Sequence, residues 1–264
     1  MDLQLSGKTV LITGSTAGIG YATAQLLLEE GAEVYINGRQ QASTYKAVDQ
    51  LKEEVPGARV AAFVADFMKP AEVEKQLSTL PSVDILINNV GIYTSKSFYT
   101  TSAEEWNSQF QVNIMSGVQL TKRFLPTMLQ QNWGRILFIS SECAYLVPSD
   151  MISYSATKAA LHAVSKGLSH LTKRSRVTIN TLVPGSTLTE GAKKFIADKA
   201  ASEKKDPAEI ERLFFQNERP HSLLERFAEV KEVATTISYL CSPLSSATNG
   251  SVIKVDGGSS GGVL

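Results

Sequence analysis

Lys8-Thr-Val-Leu-Ile-Thr13 runs into Gly14-Ser-Thr-Ala-Gly18-Ile-Gly20 and then into Tyr21-Ala-Thr-Ala-Gln-Leu-Leu-Leu-Glu-Glu30-Gly31. The first piece is a β-rich apolar run, the second a glycine turn, the third a helix pattern that a glycine ends. Glycines permit tight backbone geometry and close ligand approach, and the helix N-terminus offers unpaired N–H groups to an anion. Strand, glycine turn and helix in this order build a site for a dinucleotide pyrophosphate. The spacing is Gly-x3-Gly-x-Gly rather than Gly-x-Gly-x2-Gly, and a turn that is glycine-rich by chance is the alternative. Its place after the first strand of an alternating chain argues against chance.

Outward from this stretch, strand and helix signals alternate. Apolar runs at 9–12, 33–37, 60–64, 85–88, 135–140, 177–182 and 252–255 predict strands. Helical patterns occupy 18–30, 43–54, 70–79, 103–130, 152–174 and 230–240. Ser102-Ala-Glu-Glu105 is a capping box that opens the fourth helix. Repeated strand–helix–strand units with short buried strands predict an α/β fold: a Rossmann-type, doubly wound parallel sheet of about seven strands, flanked by helices on both faces. Ligands of such sheets sit beyond the carboxyl ends of the strands. Gly14, Asn88, Ser141 and Pro184 fall just past those ends, which predicts one shared site. No linker, repeat or low-complexity segment divides residues 1–264, so a single domain is expected. The irregular region is 186–226, with a charged, helix-compatible stretch at 191–205 and a helix start at Asp206-Pro-Ala-Glu-Ile.

Composition narrows the class. Hydrophobic residues are 43% of the chain, an ordinary globular share, and 26 Lys plus Arg balance 26 Asp plus Glu. That balance gives no electrostatic reason to expect nucleic acid or an anionic membrane. No apolar run approaches the ~18 residues of a membrane span. The first strand begins too close to Met1 for a signal peptide, so a cytoplasmic location is expected. Cys143 and Cys241 suggest neither a disulfide framework nor zinc. His162, His170 and His221 lack metal-ligand spacing, so no metal is expected. Cys143 lies close to Ser141, which leaves a reactive thiol open. His162 reads as a helix-face residue.

Tyr154-Ser-Ala-Thr-Lys158 puts a phenol and an ammonium one helical turn apart on one face. A nearby cation stabilises phenolate and would make the tyrosine a usable proton donor and acceptor near neutral pH. Ser141, thirteen residues upstream, would add a hydroxyl beside the same reacting oxygen. Ser140 is the adjacent candidate.

Together Thr13-Gly-Ser-Thr-Ala-Gly-Ile-Gly20, Asn88-Asn-Val-Gly91, Asn113, Ser141, Tyr154-Ser-Ala-Thr-Lys158, Pro184-Gly185 and Asn249-Gly-Ser-Val-Ile-Lys-Val-Asp256-Gly-Gly258 resemble the short-chain dehydrogenase/reductase family, along essentially the whole chain. Val90 stands where the family usually has alanine. The resemblance implies hydride transfer between a nicotinamide and a small carbonyl or secondary alcohol, similar to 3-oxoacyl-carrier-protein reductases. Tyr154 would be the general acid/base, Lys158 would hold the nicotinamide ribose and tune Tyr154, and Ser141 would bond the substrate oxygen. Asn113 would anchor a water leading from Lys158 to solvent, or serve as a buried hydrogen-bonding residue. Gly14, Ser15, Thr16, Gly18, Ile19 and Gly20 would line the pyrophosphate, and Asn88 and Gly91 the adenosine half. The turn of Pro184, Gly185, Thr187 and Thr189 would cradle the nicotinamide end, its backbone atoms bonding the carboxamide and Thr189 reaching the pyrophosphate side. Asp66 would contact adenine, or cap the helix near Pro70; Asn88 and Asn89 would also hold the strand end.

The residue after the second strand faces the adenosine ribose, where an acid binds the NAD hydroxyl and an arginine the NADP phosphate. Here Gly38 takes the acid's place and Arg39 follows, which favours NADP(H), with NAD(H) possible and a plain surface arginine as the alternative. The resemblance also makes 186–226 a substrate lid, with Phe195, Phe214 and Phe215 on its underside, and implies a homodimer or homotetramer through the helices that start at Ala103 and Ile152. Tyr93, Tyr145, Val147 and Met151 would line an apolar substrate pocket. A catalytically idle dinucleotide-binding protein is the competing class. A nucleotide-sugar epimerase would want a larger C-terminal domain.

Overall fold

The β-branched and aliphatic runs form seven strands: β1 Thr9–Ile12, β2 Glu33–Gly38, β3 Arg59–Val64, β4 Ile85–Asn88, β5 Gly134–Ile139, β6 Val177–Pro184 and β7 Val252–Val255. The computed structural model describes residues 2–262. All pairings are parallel, in the order β3-β2-β1-β4-β5-β6-β7. The winding direction reverses between β1 and β4, and such a switch point opens a crevice at the carboxyl edge.

Alternation along the strands sorts side chains into two layers. Val10, Ile12, Ile85, Ile87, Leu137 and Ile139 face α1 (Gly18–Glu29), α2 (Gln41–Glu54) and α10 (Val230–Cys241). Leu11, Leu86, Ile136 and Phe138 face the other layer, α3 (Pro70–Leu77), α5 (Ser116–Gln130) and α7 (Ile152–Ser169). Burial on both faces is why the central strands read as nearly unbroken apolar runs. At the amino end of β5, Arg135 is 1% exposed. It donates to the carbonyls of Gly134, Arg176 and Ser242 and lies 4.8 Å from the Trp133 ring.

Three helical expectations change. The helix expected over 103–130 is α4 (Ala103–Phe110) and α5, joined by a π-helical turn at Gln111–Met115. The Ser102–Glu105 capping box is formed. The helix expected to reach residue 174 ends at Ser169, followed by a 3₁₀ turn at His170–Thr172. A four-residue helix, α6 (Cys143–Leu146), follows Ser141 where none was expected, and it ends at Val147 with φ 45°.

The region 186–226 holds α8 (Glu190–Glu203), capped by Thr189, and α9 (Pro207–Asn217), capped by Asp206. Ile196, Ala200, Ile210, Phe215 and Phe227 make a small core of their own. Phe214 stacks on Phe227 at 5.1 Å, and Phe195, exposed, meets the Phe214 ring edge-on at 6.2 Å. No helix among the described residues is long and apolar enough to cross a membrane. No three His, Cys, Asp or Glu among them gather as a metal site.

Candidate active site

The glycine turn leaves β1 and is fixed from below. Asn37 accepts from the Gly14 N–H at 3.0 Å and donates to the Phe63 and Ala65 carbonyls. Ser15 is fully buried: its hydroxyl donates to the Ile12 carbonyl and accepts from the Asn37 N–H, and its own N–H donates to the Asn37 carbonyl. Ser15 is therefore a hook between β1 and β2, and the expectation that it lines the pyrophosphate is corrected. Gly18 has φ +59°, and a Cβ on it would meet Thr189 at 3.3 Å. Gly20 has no room for one, with Asn89 Nδ2 and the Gly14 carbonyl at 2.7 Å. Helix α1 starts with no side-chain cap and no acid in its own first turn, so its orphan N–H groups have no side-chain cap, and Glu190 Oε2 would lie 3.7 Å from a Cβ on Gly18. Thr16 and Ile19 are half-buried on the same turn.

Of the Asn88–Asn89 pair, Asn89 does the structural work. Its Nδ2 donates to the Thr13 and Gly14 carbonyls, and its N–H, like that of Val90, donates to Thr13 Oγ1. Asn88 is 6% exposed, and neither of its amide atoms has a partner. Asp66 accepts from the Met68 N–H and closes a turn; the N-cap position of α3 is Lys69, and no side chain caps that helix. Arg39 is exposed and makes no ion pair among the described residues. A Cβ at Gly38 would collide with Thr44 and with Thr16 at 2.7 Å, so an acid has no space there.

On the other side of the switch point, Ser140 and Ser141 part company. Ser140 is 4% exposed; its hydroxyl donates to the Lys158 carbonyl and lies 2.9 Å from His162 Nε2. Because the hydroxyl proton is committed, His162 is the donor in that pair, and its ring is 5.4 Å from Tyr145. Ser141 is half-buried and its hydroxyl only accepts from the Cys143 N–H at 3.2 Å. Burial pushes the Cys143 thiol up, and the residue is 5% exposed, so the reactive-thiol alternative lapses.

Tyr154 and Lys158 share a face of α7, with the ammonium 5.5 Å from the ring centroid. Tyr93 covers the ring edge-on at 5.8 Å. The expected lowering of the Tyr154 pKa does not appear: desolvation raises it, the nearby Cys143 thiol adds to the rise, and the Ser141 hydroxyl opposes it. The ammonium points elsewhere. Lys158 Nζ donates to the Ile139 carbonyl at 2.8 Å, and burial pulls its pKa down to about 8. A Cβ at Gly91 would stand 3.2 Å from that Nζ, so the loop after β4 passes close over Lys158. Asn113, 4% exposed in the π turn, accepts from the Ile92 N–H and donates to the Ile92 carbonyl and to Thr157 Oγ1. It clamps that loop to α7.

At the end of β6, Pro184 accepts from the Glu142 N–H and Gly185 donates to the Val255 carbonyl. The Thr187 hydroxyl donates to the Gly185 carbonyl and the residue is 8% exposed. Its side chain holds the turn, and its backbone is what the turn presents at the β6 exit. Thr189 stands against Gly18 and links the β6 exit to the pyrophosphate turn.

The crevice thus joins an uncapped helix N-terminus, an unpartnered buried amide at Asn88, a half-buried phenol and an underbonded ammonium. These groups fit a dinucleotide: the anion at α1, polar edges at Asn88, and ribose hydroxyls at Lys158. Sequence reading missed Glu142, Arg219, Asn37 and Thr157. Only Asn37 left a signal, as a polar residue in an apolar strand.

A family profile described as short chain dehydrogenase matches residues 8–200. An uncharacterised oxidoreductase of Bacillus subtilis, YvaG, is 41% identical over 258 residues, covering 98% of both chains. The 3-oxoacyl-[acyl-carrier-protein] reductase FabG of Aquifex aeolicus is 30% identical over 262 residues, covering 98% of this chain and 99% of its own. The crystal structure of L-sorbose reductase from Gluconobacter frateurii, complexed with NADPH and L-sorbose, superposes with a TM-score of 0.92 at 30% identity, covering all of both chains. Fold, crevice and kinship agree: the chain belongs to the short-chain dehydrogenase/reductase family and is an NAD(P)-dependent oxidoreductase.

Proposed function

We propose that the protein reduces a small carbonyl to a secondary alcohol with NADPH, in the manner of 3-oxoacyl thioester reductases. The observation that carries this reading is the convergence of Ser141, Tyr154 and Lys158 at one carboxyl-edge crevice with the glycine turn. When bound, NADPH supplies hydride. Tyr154, held neutral by desolvation, gives its proton to the alkoxide oxygen, and the Ser141 hydroxyl donates to the same oxygen. Lys158 holds ribose hydroxyls and returns a proton toward Tyr154; its pKa near 8 suits proton exchange near neutral pH. Asn113 sets the loop after β4 against α7 and so fixes the Lys158 neighbourhood.

NADP(H) over NAD(H) is supported by the filled space at Gly38 and the free guanidinium of Arg39, and by the NADPH in the sorbose reductase complex. Asp66 lies beside the adenine end. The α8–α9 insertion serves as the substrate lid of a single-domain enzyme. Phe110 and Met115, 40% and 48% exposed at the π turn, support a homodimer or homotetramer formed there.

Calorimetric titration with NADPH and NADH, on wild type and Arg39→Ala, tests the cofactor. Tighter NADPH binding, weakened about tenfold or more in the variant with NADH unchanged, is expected. Tighter NADH binding overturns the NADP assignment. Binding of neither overturns the oxidoreductase reading of the crevice. A screen of 3-oxoacyl thioesters and ketoses with NADPH then fixes the substrate.

A further inference from the structure

Glu142, between Ser141 and Cys143, is a carboxylate with 3% side-chain exposure at the edge of the crevice. Its Oε1 accepts from Ser186 Oγ at 2.7 Å and from Arg219 Nε at 2.6 Å, while Oε2 is buried without a partner. Arg219 belongs to the segment after α9. Its side chain is 10% exposed, Nη1 donates to the Glu218 carbonyl, and the guanidinium lies 5.3 Å from the Phe214 ring. Three pieces of chain therefore meet on one carboxylate: the serine turn, the β6 exit and the helical insertion. The other ion pairs among the described residues are exposed, with side-chain exposures from 28% to 68%.

Stability alone does not account for this pair. A buried ion pair seldom outperforms apolar side chains of similar size, because desolvation offsets the attraction. An incompletely bonded carboxylate is poorer still. Glu142 stands beside the proposed reacting serine, and Arg219 stands on the proposed lid. We propose that Glu142 and Arg219 are a positioning pair that fastens the insertion to the turn carrying Ser141, so that the serine hydroxyl is in place only while the insertion is seated. This rests on the assignment of Ser141 and Tyr154 as reacting groups. Their surroundings give the pair an electrostatic signature as well. Tyr154 is faced by Lys158 on its own helix, by Cys143 and Glu142 on the serine turn and by Tyr93 on the loop after β4. Glu142 raises the Tyr154 pKa and Arg219 balances that charge.

The test compares Arg219→Met, Glu142→Gln and the double variant in the full chain, with two reporters that need no substrate. Trypsin reads the insertion at exposed Lys193 and Lys194; iodoacetamide, mapped by mass spectrometry, reads the serine turn at buried Cys143. In Arg219→Met both rates rise together, by about tenfold, as a local opening becomes easier. In the double variant the thermal midpoint recovers, since no unpaired charge remains, but both rates stay fast. Faster trypsin cleavage with Cys143 still protected would mean that the two parts are not fastened together, and the proposal fails. So would recovery of both rates along with the midpoint, which is the mark of a purely structural pair. The pH profile of NADPH-dependent reduction of 2,3-butanedione adds a sign test. Its alkaline fall moves up in Arg219→Met and down in Glu142→Gln, whereas a structural role moves both alike. A wild type that reduces neither this nor any screened carbonyl overturns the oxidoreductase reading, while the two labelling rates still decide the pair.

Discussion

Arg135, at the amino end of β5, and Lys158, beside the carboxyl end of the same strand, are long cations with 1% and 3% exposure. Burial lowers the pKa of both. Arg135 donates to three backbone carbonyls and is backed by an indole. Lys158 uses one of an ammonium's three donors, on Ile139. The same contrast runs through the neighbouring amides. Asn180, on β6, donates to the Thr248 carbonyl and accepts from the Ser251 N–H, whereas Asn88 is idle. Arg135 and Asn180, away from the crevice, are bonded and hold the sheet. Lys158 and Asn88, at the carboxyl edge, are desolvated but left short of partners, and a ligand would complete them.

The sharpest way to break this contrast is at the crevice. Tyr154→Phe keeps the ring and removes the proton; turnover should fall by up to about 10⁴-fold while calorimetric NADPH affinity holds. Retained turnover would remove Tyr154 from the chemistry. Arg135→Met should do the reverse. Three carbonyls lose an Arg135 bond, although that of Ser242 keeps Ser245; the cost is about 3 kcal/mol, and the thermal midpoint drops by roughly 10 °C with NADPH affinity unchanged.

Lys158→Met combines loss of turnover with a gain in stability. The folded lysine has a pKa of about 8 against an ordinary 10.5, so between those values the unfolded chain binds the extra proton. Stability therefore rises with pH across that window, by up to about 3 kcal/mol from this side chain, and below it the charging penalty is fully present. Urea unfolding at pH 7.5 and 10 should show this rise in wild type and lose it in Lys158→Met. The smallest effect is at Val147, a β-branched residue at φ 45° behind the serine turn. Val147→Gly should raise the thermal midpoint by a few degrees, relieving about 1 kcal/mol. No gain would mean that the crevice end holds no strain there.

The seven strands and the crevice were legible because apolar alternation and glycine spacing are local signals. Four residues of spacing also placed Tyr154 and Lys158 on one face. What the spacing does not carry is the direction of the tyrosine pKa, since it says nothing of the desolvation at Tyr154 or of the Ile139 carbonyl that draws the ammonium away. Ser15 reads like a ligand from its place in the glycine turn, but its orientation is set by Asn37, on another strand. Glu142 and Arg219 are 77 residues apart, and nothing local announces their pairing. The π turn is invisible for a similar reason. The apolar pattern of 103–130 suits a plain helix, and only the bonds of Asn113 to Ile92 and Thr157 show what the irregular turn holds.

That turn makes chain length itself a functional quantity. Gln111–Met115 holds one residue more than an α-helical turn would. Deleting any one of the five would let α4 and α5 run on as a single regular helix, a change that local helix energetics would welcome. It would also rotate the capped end by about 100° against α7 and take Asn113 off Ile92 or Thr157. Elsewhere on a helix a lost residue spoils packing. Here the chain would become more regular while the loop over Lys158 came loose, so one-residue deletions across 111–115 should separate helical order from a working crevice.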